Sequence, residues 1–243
     1  MLTERYQETL TKDQQYIIRN NVWGEAAGNS QTIEPRERGF KVIATDLRPE
    51  SPCPVSSFPS IVKGCHPWVD PKTGDLLLTK GWEFHQVQEI DTLTTRLEIA
   101  GTTAPGKWSV IYDIWLDKTL GFPSGPSKDA VELLIFLRNR PKSCPHIGSA
   151  SLQERIDGAW QEQFYDLHLN STWGKWKHYI AYVRNEQTNL VELNLKHVLD
   201  DCLNRQLFTN DYFLASIEAG FEIGTGGVGL EVVDFNVDLK LKA

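Results

Sequence analysis

The sequence feature that most constrains this chain is an alternating stretch between residues 216 and 227. Its odd-numbered positions from 217 to 223 are all apolar, and its even-numbered positions from 216 to 224 are Ser, Glu or Gly. A repeat of two residues is typical of a β-strand that buries one face. Two acids, Glu218 and Glu222, fall on the small, polar face. We expect this face to be either a solvated sheet surface or the floor of a cleft.

Two further predicted strands place single acids among large apolar side chains. Glu132 in residues 131–137 and Asp113 in residues 108–116 each share a strand face with aliphatic and aromatic neighbours. Such surroundings shift the pKa of a carboxyl group, as is common in catalytic clefts. Taken alone, each acid fits a hydrogen-bonded or half-exposed residue. Three such strands in one chain favour a cleft.

Carboxylates that face each other across a groove are what glycosidic bond cleavage requires. One attacks the anomeric carbon, and the other protonates the departing oxygen and then activates water. An apolar setting or a nearby negative charge keeps the second acid protonated near neutral pH. The chain has eight Trp residues, and indole rings stack well on the apolar faces of sugars. Glycines beside the acids allow a close approach to the backbone and suggest space for a sugar chain.

Length and composition limit the class of protein. A chain of 243 residues, 40% of them hydrophobic, fits one large β-sandwich domain over residues 1–243. The formal net charge of −7 and the absence of a basic block argue against nucleic acid or an anionic membrane as partner. No apolar run is long enough to cross a bilayer. The six His residues are scattered without ligand spacing, so we expect no metal and no cofactor.

Strand patterns recur at intervals typical of a sandwich. One segment differs, because apolar residues over 194–205 recur at helical spacing behind Asn194, which predicts a single capped helix packed on a sheet. The other predicted strands cover residues 15–24, 39–45, 59–66, 95–99, 164–169, 176–183 and 229–241, with one more near Val87.

The four cysteines, Cys53, Cys65, Cys144 and Cys202, allow three complete pairings, and their spacing fits no zinc pattern. We expect buried thiols, with at most one disulfide. The first six residues lack the apolar core of a secretory signal. The protein is therefore either intracellular or exported with a signal that this chain does not carry.

Five short motifs occur one after another along the chain. They are NNVWG at 20–24, FPSI at 58–61 with GCH at 64–66, YDIW at 112–115, ELLIFL at 132–137, and AGFEI at 219–223 with TGG at 225–227. Together they resemble glycoside hydrolase family 12, the small endo-β-1,4-glucanases and xyloglucanases. The resemblance implies an all-β jelly-roll sandwich of two antiparallel sheets with a concave substrate groove.

The resemblance also implies roles for residues. Glu132 matches the nucleophile, Glu222 the acid/base, and Asp113 the residue that hydrogen-bonds and orients the nucleophile. Hydrolysis then retains the anomeric configuration, with the two carboxyls roughly 5–5.5 Å apart. The implied enzyme is a secreted, monomeric endoglucanase acting on a β-glucan. The expected substrate-binding residues are Asn21, Trp23, His66, Trp115 and Phe136.

Three departures from the family pattern bear on substrate preference. Gly224 stands where many members have Trp, and Pro67 is inserted before Trp68. Glu218 occupies a position that is commonly Gln. The extra carboxylate either raises the pKa of the neighbouring acid or points elsewhere.

A second class fits part of the pattern. A carbohydrate-binding jelly-roll module or lectin without catalysis would use the same Trp23, Trp115 and Phe136 platforms. It would not need both Glu132 and Glu222, so the two glutamates favour an enzyme. Release of reducing ends from a β-glucan distinguishes the two classes.

Overall fold

The structure, a computed structural model, describes residues 1–50, 54–67, 77–119, 125–139, 145–171 and 177–243. It is 56% strand and 6% helix, which confirms the all-β prediction. The strands are β1 (Glu8–Leu10), β2 (Ile17–Arg19), β3 (Ser30–Pro35), β4 (Phe40–Asp46), β5 (Ser60–Gly64), β6 (His85–Gln86), β7 (Ile90–Ala100), β8 (Gly106–Asp117), β9 (Val131–Arg138), β10 (His146–Ile156), β11 (Ala159–Asn170), β12 (His178–Arg184), β13 (Leu190–Asn194), β14 (Phe213–Gly226) and β15 (Glu231–Leu241).

Hydrogen bonds connect the strands in one continuous path. Its order is β1-β2-β5-β14-β8-β9-β12-β11-β10-β13-β7-β15-β4-β3, and β6 pairs with β14. The pairs along this path are antiparallel, as predicted, with the exception of β9 and β12, which run parallel. The β10–β11 hairpin lies between those two strands in sequence and supplies the long connection that a parallel pair needs.

Two layers of this path pack face to face. Phe221 on β14 meets Phe40 on β4 edge-on, with ring centroids 5.9 Å apart, and Tyr112 on β8 meets Phe235 on β15 at 6.3 Å. Each contact joins two strands that do not pair with each other. The main core therefore lies between a layer containing β14, β8 and β9 and a layer containing β7, β15 and β4.

The predicted helix is confirmed as α1 (Leu195–Asn204), the one α-helix in the described ranges. The side chain of Asn194 caps it by accepting a hydrogen bond from the backbone N–H of His197 at 3.2 Å. Val198, Leu199 and Cys202 are fully buried against the main core. A polar cap followed by an apolar stripe thus marks this helix correctly.

The strand predicted near Val87 is confirmed as β6, but it ends at Gln86 and does not include Val87 itself. Residues Val87–Glu89 form one 3₁₀ turn between β6 and β7. The backbone N–H of Gln86 donates to the Glu89 carboxylate at 2.8 Å, which closes the turn. Val87 is buried, but it is buried in a turn and not along an extended strand.

Two thiols are buried as expected. Cys65 and Cys202 form no disulfide, and burial raises the pKa of each to about 12. Cys53 and Cys144, like Trp68, lie outside the described residues. Within the described ranges, no helix has the length and apolar character needed to cross a bilayer.

The interlayer core predicts a sharp contrast between two phenylalanines. Phe221→Ala removes a ring that is 0% exposed and should lower the free energy of unfolding by about 3–5 kcal/mol. Phe164→Ala is the matched control, because that ring is 66% exposed on β11 and its loss should change stability by about 0.5 kcal/mol or less. Urea unfolding measures both. Equal losses in the two variants would contradict the layer assignment.

Candidate active site

The predicted catalytic acids lie on neighbouring strands and share one face of their layer. On β14, the odd-numbered residues from 217 to 223 are fully buried in the main core, so Glu218 and Glu222 point to the other side. Glu218 pairs in register with Asp113 of β8, and Asp113 pairs with Leu134 of β9. The acid face is defined by the side chains of Glu132, Asp113, Glu218 and Glu222.

Glu132 and Glu222 lie on the two strands that flank β8. Glu132 pairs with Trp115, and Glu222 pairs with Ser109, so Asp113 lies between those two positions along β8. The charges of Glu132 and Glu222 both raise the pKa of Asp113. The three carboxyls that were predicted to be catalytic therefore form one electrostatic cluster.

The acid face is apolar around its carboxyls. A second buried cluster, separate from the main core, covers the part of the face between β5 and β12. Such surroundings disfavour the charged form of a carboxyl group. The members of this cluster are Phe58, Ile111, Leu134, Phe136, Tyr179 and Ala181.

Glu222 has the protonation behaviour of a proton donor. Burial raises the pKa of its carboxyl to about 7. Its Oε2 receives no hydrogen bond from any described residue, so no donor stabilises charge on that oxygen. A carboxyl of this kind keeps its proton in weakly acidic and neutral solution, as a general acid must.

Asp113 also favours its neutral form. Its side chain is 6% exposed, and burial raises its pKa well above the usual range. The charges of Glu132 and Glu218 raise it further, while the Trp115 side chain opposes the shift. A neutral carboxyl beside Glu132 can donate a hydrogen bond to that residue's carboxylate.

Glu132 occupies the second position of β9 and is half-buried. Two aromatic residues pair with it in register, Trp115 on β8 and Tyr179 on β12. This position gives the predicted nucleophile a rigid strand and stiff aromatic neighbours on both sides. Its role as nucleophile stays a prediction.

Glu218 is fully buried and held by three side chains. Ser60 Oγ donates to its Oε2 at 3.2 Å, and Ser216 Oγ donates to its Oε1 at 3.1 Å. His66 Nδ1 is hydrogen-bonded to the same Oε1. Of the two alternatives for this extra carboxylate, the first is wrong, because burial accounts for the raised pKa of Glu222. The second is confirmed, because the Glu218 carboxylate is bound by Ser60, Ser216 and His66, and its charge raises the pKa of Asp113 instead.

The glycines of β14 do not provide space for a sugar chain. A Cβ atom at Gly220 would lie 2.0 Å from the carbonyl oxygen of Pro59, and one at Gly224 would lie 2.1 Å from that of Pro54. The close approach is real, but the approaching group is the protein's own backbone. The absence of Trp at position 224 follows from the same contact, because any side chain there would clash with residue 54.

The segment that contains Asn21 and Trp23 lies at the Glu222 end of the acid face. Val22, which lies between them, forms a β-bridge with Ser57. Ser57 also forms a β-bridge with Ile223, the residue after Glu222. Asn21 has a positive φ of 36°, an uncommon conformation for a non-glycine residue. Trp23 is 37% exposed, so its ring is available to a sugar.

The other three substrate-binding candidates are buried. Trp115 and Phe136 are each 2% exposed, and Phe136 belongs to the apolar cluster under the acid face. His66 is 8% exposed and is engaged with Glu218. All three lie at the site, but they form its floor and support. Their contact with sugar stays a prediction.

A buried ion pair beside the site was missed by the sequence analysis. Arg19 of β2 pairs in register with Ser60, which places it on the side of the sheet that carries Glu218. Its Nε lies 3.0 Å from Glu8 Oε2, and the two side chains are 5% and 10% exposed. The available signal was a lone Arg at the end of an apolar strand, the same pattern that singled out Glu132.

A cavity of about 280 Å³ opens beside Phe136 at the ends of β9 and β12, and its other lining residues include Arg138 and Val183. It extends the acid face beyond the apolar cluster. Within the part of the chain that the structure describes, no group of three or more His, Cys, Asp or Glu is placed to hold a metal ion.

Known proteins are similar to this chain over nearly its whole length. Endoglucanase S of Pectobacterium parmentieri is 27% identical over 235 residues, which cover 93% of this chain and 82% of that protein. The structure of endoglucanase cel12A from Rhodothermus marinus matches with a TM-score of 0.83 at 27% identity and covers 99% of both chains. A family 12 xyloglucanase from Bacillus licheniformis matches with a TM-score of 0.78 at 20% identity, covers 98% of this chain and 99% of that one, and shows the fold alone.

These matches confirm the predicted jelly-roll fold. The sequence profile of Glycosyl hydrolase family 12 matches residues 14–240, a span that includes each strand of the acid face. The chain belongs to glycosyl hydrolase family 12.

Proposed function

We propose that this chain is an endo-acting β-1,4-glucanase that cleaves internal bonds of β-glucans with retention of configuration. The observation that carries the proposal is the grouping of Glu132, Asp113 and Glu222 on one apolar face, with the pKa of Glu222 raised to about 7. Two relatives at 27% identity are named endoglucanases. Cellulose, mixed-linkage glucan and xyloglucan are the candidate substrates.

In the first step, the Glu132 carboxylate attacks the anomeric carbon from the face opposite the leaving sugar. Glu222 donates its proton to the departing glycosidic oxygen, so the leaving group departs as a neutral alcohol. The product is a glycosyl ester on Glu132. The apolar surroundings of Glu222 support this step, because they keep its proton in place until the oxygen accepts it.

In the second step, a water molecule attacks the same carbon and releases Glu132. Glu222 is now ionised and takes the proton from that water. Two inversions give overall retention, which requires the carboxyls to be roughly 5–5.5 Å apart.

Asp113 supports the ionised form of Glu132 in this proposal. A neutral Asp113 donates a hydrogen bond to the nucleophile, which stabilises its charge and fixes its orientation. Burial and the surrounding charges raise the pKa of Asp113, and this favours the donor form.

Trp23, on the exposed segment at the Glu222 end, provides a stacking surface for a sugar ring. We further propose that residues 1–243 act as one catalytic domain and as a monomer. The site of action is extracellular, because an intact polysaccharide does not enter a cell.

A substrate panel tests the proposal. The protein is incubated with barley β-glucan, carboxymethyl cellulose and xyloglucan, and reducing ends and viscosity are followed together. A fast fall in viscosity with few reducing ends is expected, because internal cleavage shortens chains quickly. Binding to these polymers without release of reducing ends would overturn the proposed enzymatic activity and favour a carbohydrate-binding module.

Glu132→Ala should lower kcat by roughly 10⁴-fold or more, because loss of a nucleophile raises the barrier by several kcal/mol. Azide should restore turnover of an activated aryl cellobioside and give an α-configured glycosyl azide. Glu98→Ala is the matched control, since Glu98 lies on β7 in the other layer and pairs with Arg96 at 2.9 Å. It should keep full activity. Retained activity in Glu132→Ala would exclude Glu132 as the nucleophile.

The Glu222 assignment predicts a pH dependence. The reaction needs protonated Glu222, and its pKa is raised to about 7, so kcat/KM should fall as the pH rises through that value. In Glu222→Ala, this alkaline limb should disappear, and substrates with good leaving groups should lose least in the first step. An equal loss on all leaving groups, or an unchanged alkaline limb, would exclude Glu222 as the acid.

A further inference from the structure

Two of the three hydrogen-bond partners of Glu218 are on the side away from Asp113. Ser60 belongs to β5 and His66 follows that strand, whereas Asp113 lies on β8, on the opposite flank of β14. Ser216, the third partner, is on β14 itself, one side chain along the same face. Glu218 therefore has its charge stabilised from the β5 side and presents no donor to Asp113.

Asp113 is in the reverse situation. Its register partner on β14 is Glu218. Its register partner on β9 is Leu134, and Glu132 lies two residues before Leu134 on the same face of that strand. Its Oδ1 receives no hydrogen bond from any described residue. Neighbouring carboxylates cannot all ionise at low dielectric, so the member of the cluster with the most negative neighbours is the one that holds the proton.

We propose that Glu218 is a positioning residue that, together with His66, keeps the proton shared by Glu218, Asp113 and Glu132 on Asp113. Asp113 then donates this proton in a hydrogen bond to Glu132, which stays ionised and ready to attack. The inference rests on the proposed function and deepens it. Glu218 itself touches neither the sugar nor the reacting atoms.

The directions of the pKa shifts agree with placing the proton on Asp113 and not on Glu218. Burial raises the pKa of Glu218 to about 7, and Arg19, Ser216 and Ser60 lower it. Burial raises the pKa of Asp113 well above its usual range, and the charges of Glu132 and Glu218 raise it further. At Glu218, donors and a cation oppose the effect of burial, whereas at Asp113 the neighbouring charges add to burial and the Trp115 side chain opposes them.

The remaining titratable and charged groups around this pair complete the account. Arg19 of β2 is a nearby cation, and it forms an ion pair with Glu8 of β1. Cys65 is neutral, because burial and the Glu218 charge raise its pKa to about 12. The Glu222 charge also raises the pKa of Asp113, by less than the charges of Glu132 and Glu218 do. Among the described residues hydrogen-bonded to Glu218, His66 contributes a ring nitrogen and Ser60 and Ser216 contribute hydroxyl groups.

Glu218→Gln is the primary test, because an amide keeps the size and hydrogen bonds of the side chain and removes its charge. Without that charge, Asp113 ionises at a lower pH than Glu222 and no longer donates to Glu132, so in this variant Asp113 replaces Glu222 as the group that sets the alkaline limb. The alkaline limb of kcat/KM on barley β-glucan should therefore move to lower pH by about one unit. A profile that superimposes on that of the unaltered protein would overturn the proposal.

A double-mutant cycle separates action through Asp113 from any other route. Asp113→Asn supplies a permanent amide donor that cannot ionise. In this background, Glu218→Gln should cause no further movement of the alkaline limb. A shift as large as that in the single variant would overturn the proposal, because Glu218 would then act on Glu222 or on the protein as a whole.

Glu154→Gln is the matched control for removing a buried charge. Glu154 is 2% exposed and accepts hydrogen bonds from Tyr165 Oη at 2.5 Å and Arg184 Nε at 2.8 Å. This variant should unfold at lower urea concentration and leave the alkaline limb where it is. A limb that moves equally in Glu154→Gln would show that any buried charge has this effect, and would overturn the proposal.

Carbon-13 NMR of carboxyl-labelled aspartates decides the question even where a variant folds poorly. In the unaltered protein, the Asp113 signal, assigned by its loss in Asp113→Asn, should remain that of a protonated acid at pH 7. Ionisation of Asp113 below pH 7 would overturn the inference. Failure of the proposed function looks different: the unaltered protein would release no reducing ends from any β-glucan.

Discussion

Desolvation of carboxyl groups on the acid face is the interaction on which the site depends. A buried carboxylate without donors is costly, so it either protonates or requires hydrogen bonds. The acid face contains both outcomes within a few residues. Glu222 has no donor at Oε2 and keeps its proton, whereas Glu218 is surrounded by serine hydroxyls and an imidazole. Burial raises the pKa of both carboxyls to about 7, but donors oppose this shift at Glu218 and not at Glu222, because the donors are distributed unevenly. Acid catalysis and nucleophilic attack need this difference.

The core between the two layers holds these groups in place. Along β14, each acid stands between residues that are fully buried in the core, so a register slip of one residue would move the acids into the core and the apolar side chains out of it. The same rule applies on β8, where Tyr112 and Ile114 flank Asp113 and are both 0% exposed. Packing energy therefore fixes which acids share a face. The close backbone contacts at Gly220 and Gly224 add a second constraint, since they seat residues 59 and 54 directly against β14.

Local patterns predicted the parts of the structure that depend on local chemistry. Alternation located β14, β8 and β9, and a capping Asn with an apolar stripe located α1. The same reasoning could have located the β10–β11 hairpin, because Asp157–Gly158 forms its two-residue turn with φ values of 51° and 81°. Periodicity could not find the His66–Glu218 contact, which joins residues 152 positions apart. Nor could it show that Trp115 and Phe136 are buried, since burial depends on what other elements place above them. The separate roles of Glu132 and Glu222 came from resemblance, because both are simply acids on an apolar strand.

The covalent intermediate is the central claim of this account, and it can be observed directly. The protein is incubated with 2-deoxy-2-fluoro-β-cellotriosyl fluoride, which forms a slowly hydrolysed glycosyl-enzyme in retaining glycosidases. Proteolysis and peptide mass spectrometry then locate the added sugar. We predict one fluorosugar per protein, in an ester to Glu132. A sugar on another residue, or an active enzyme that forms no adduct and gives inverted products, would contradict the mechanism.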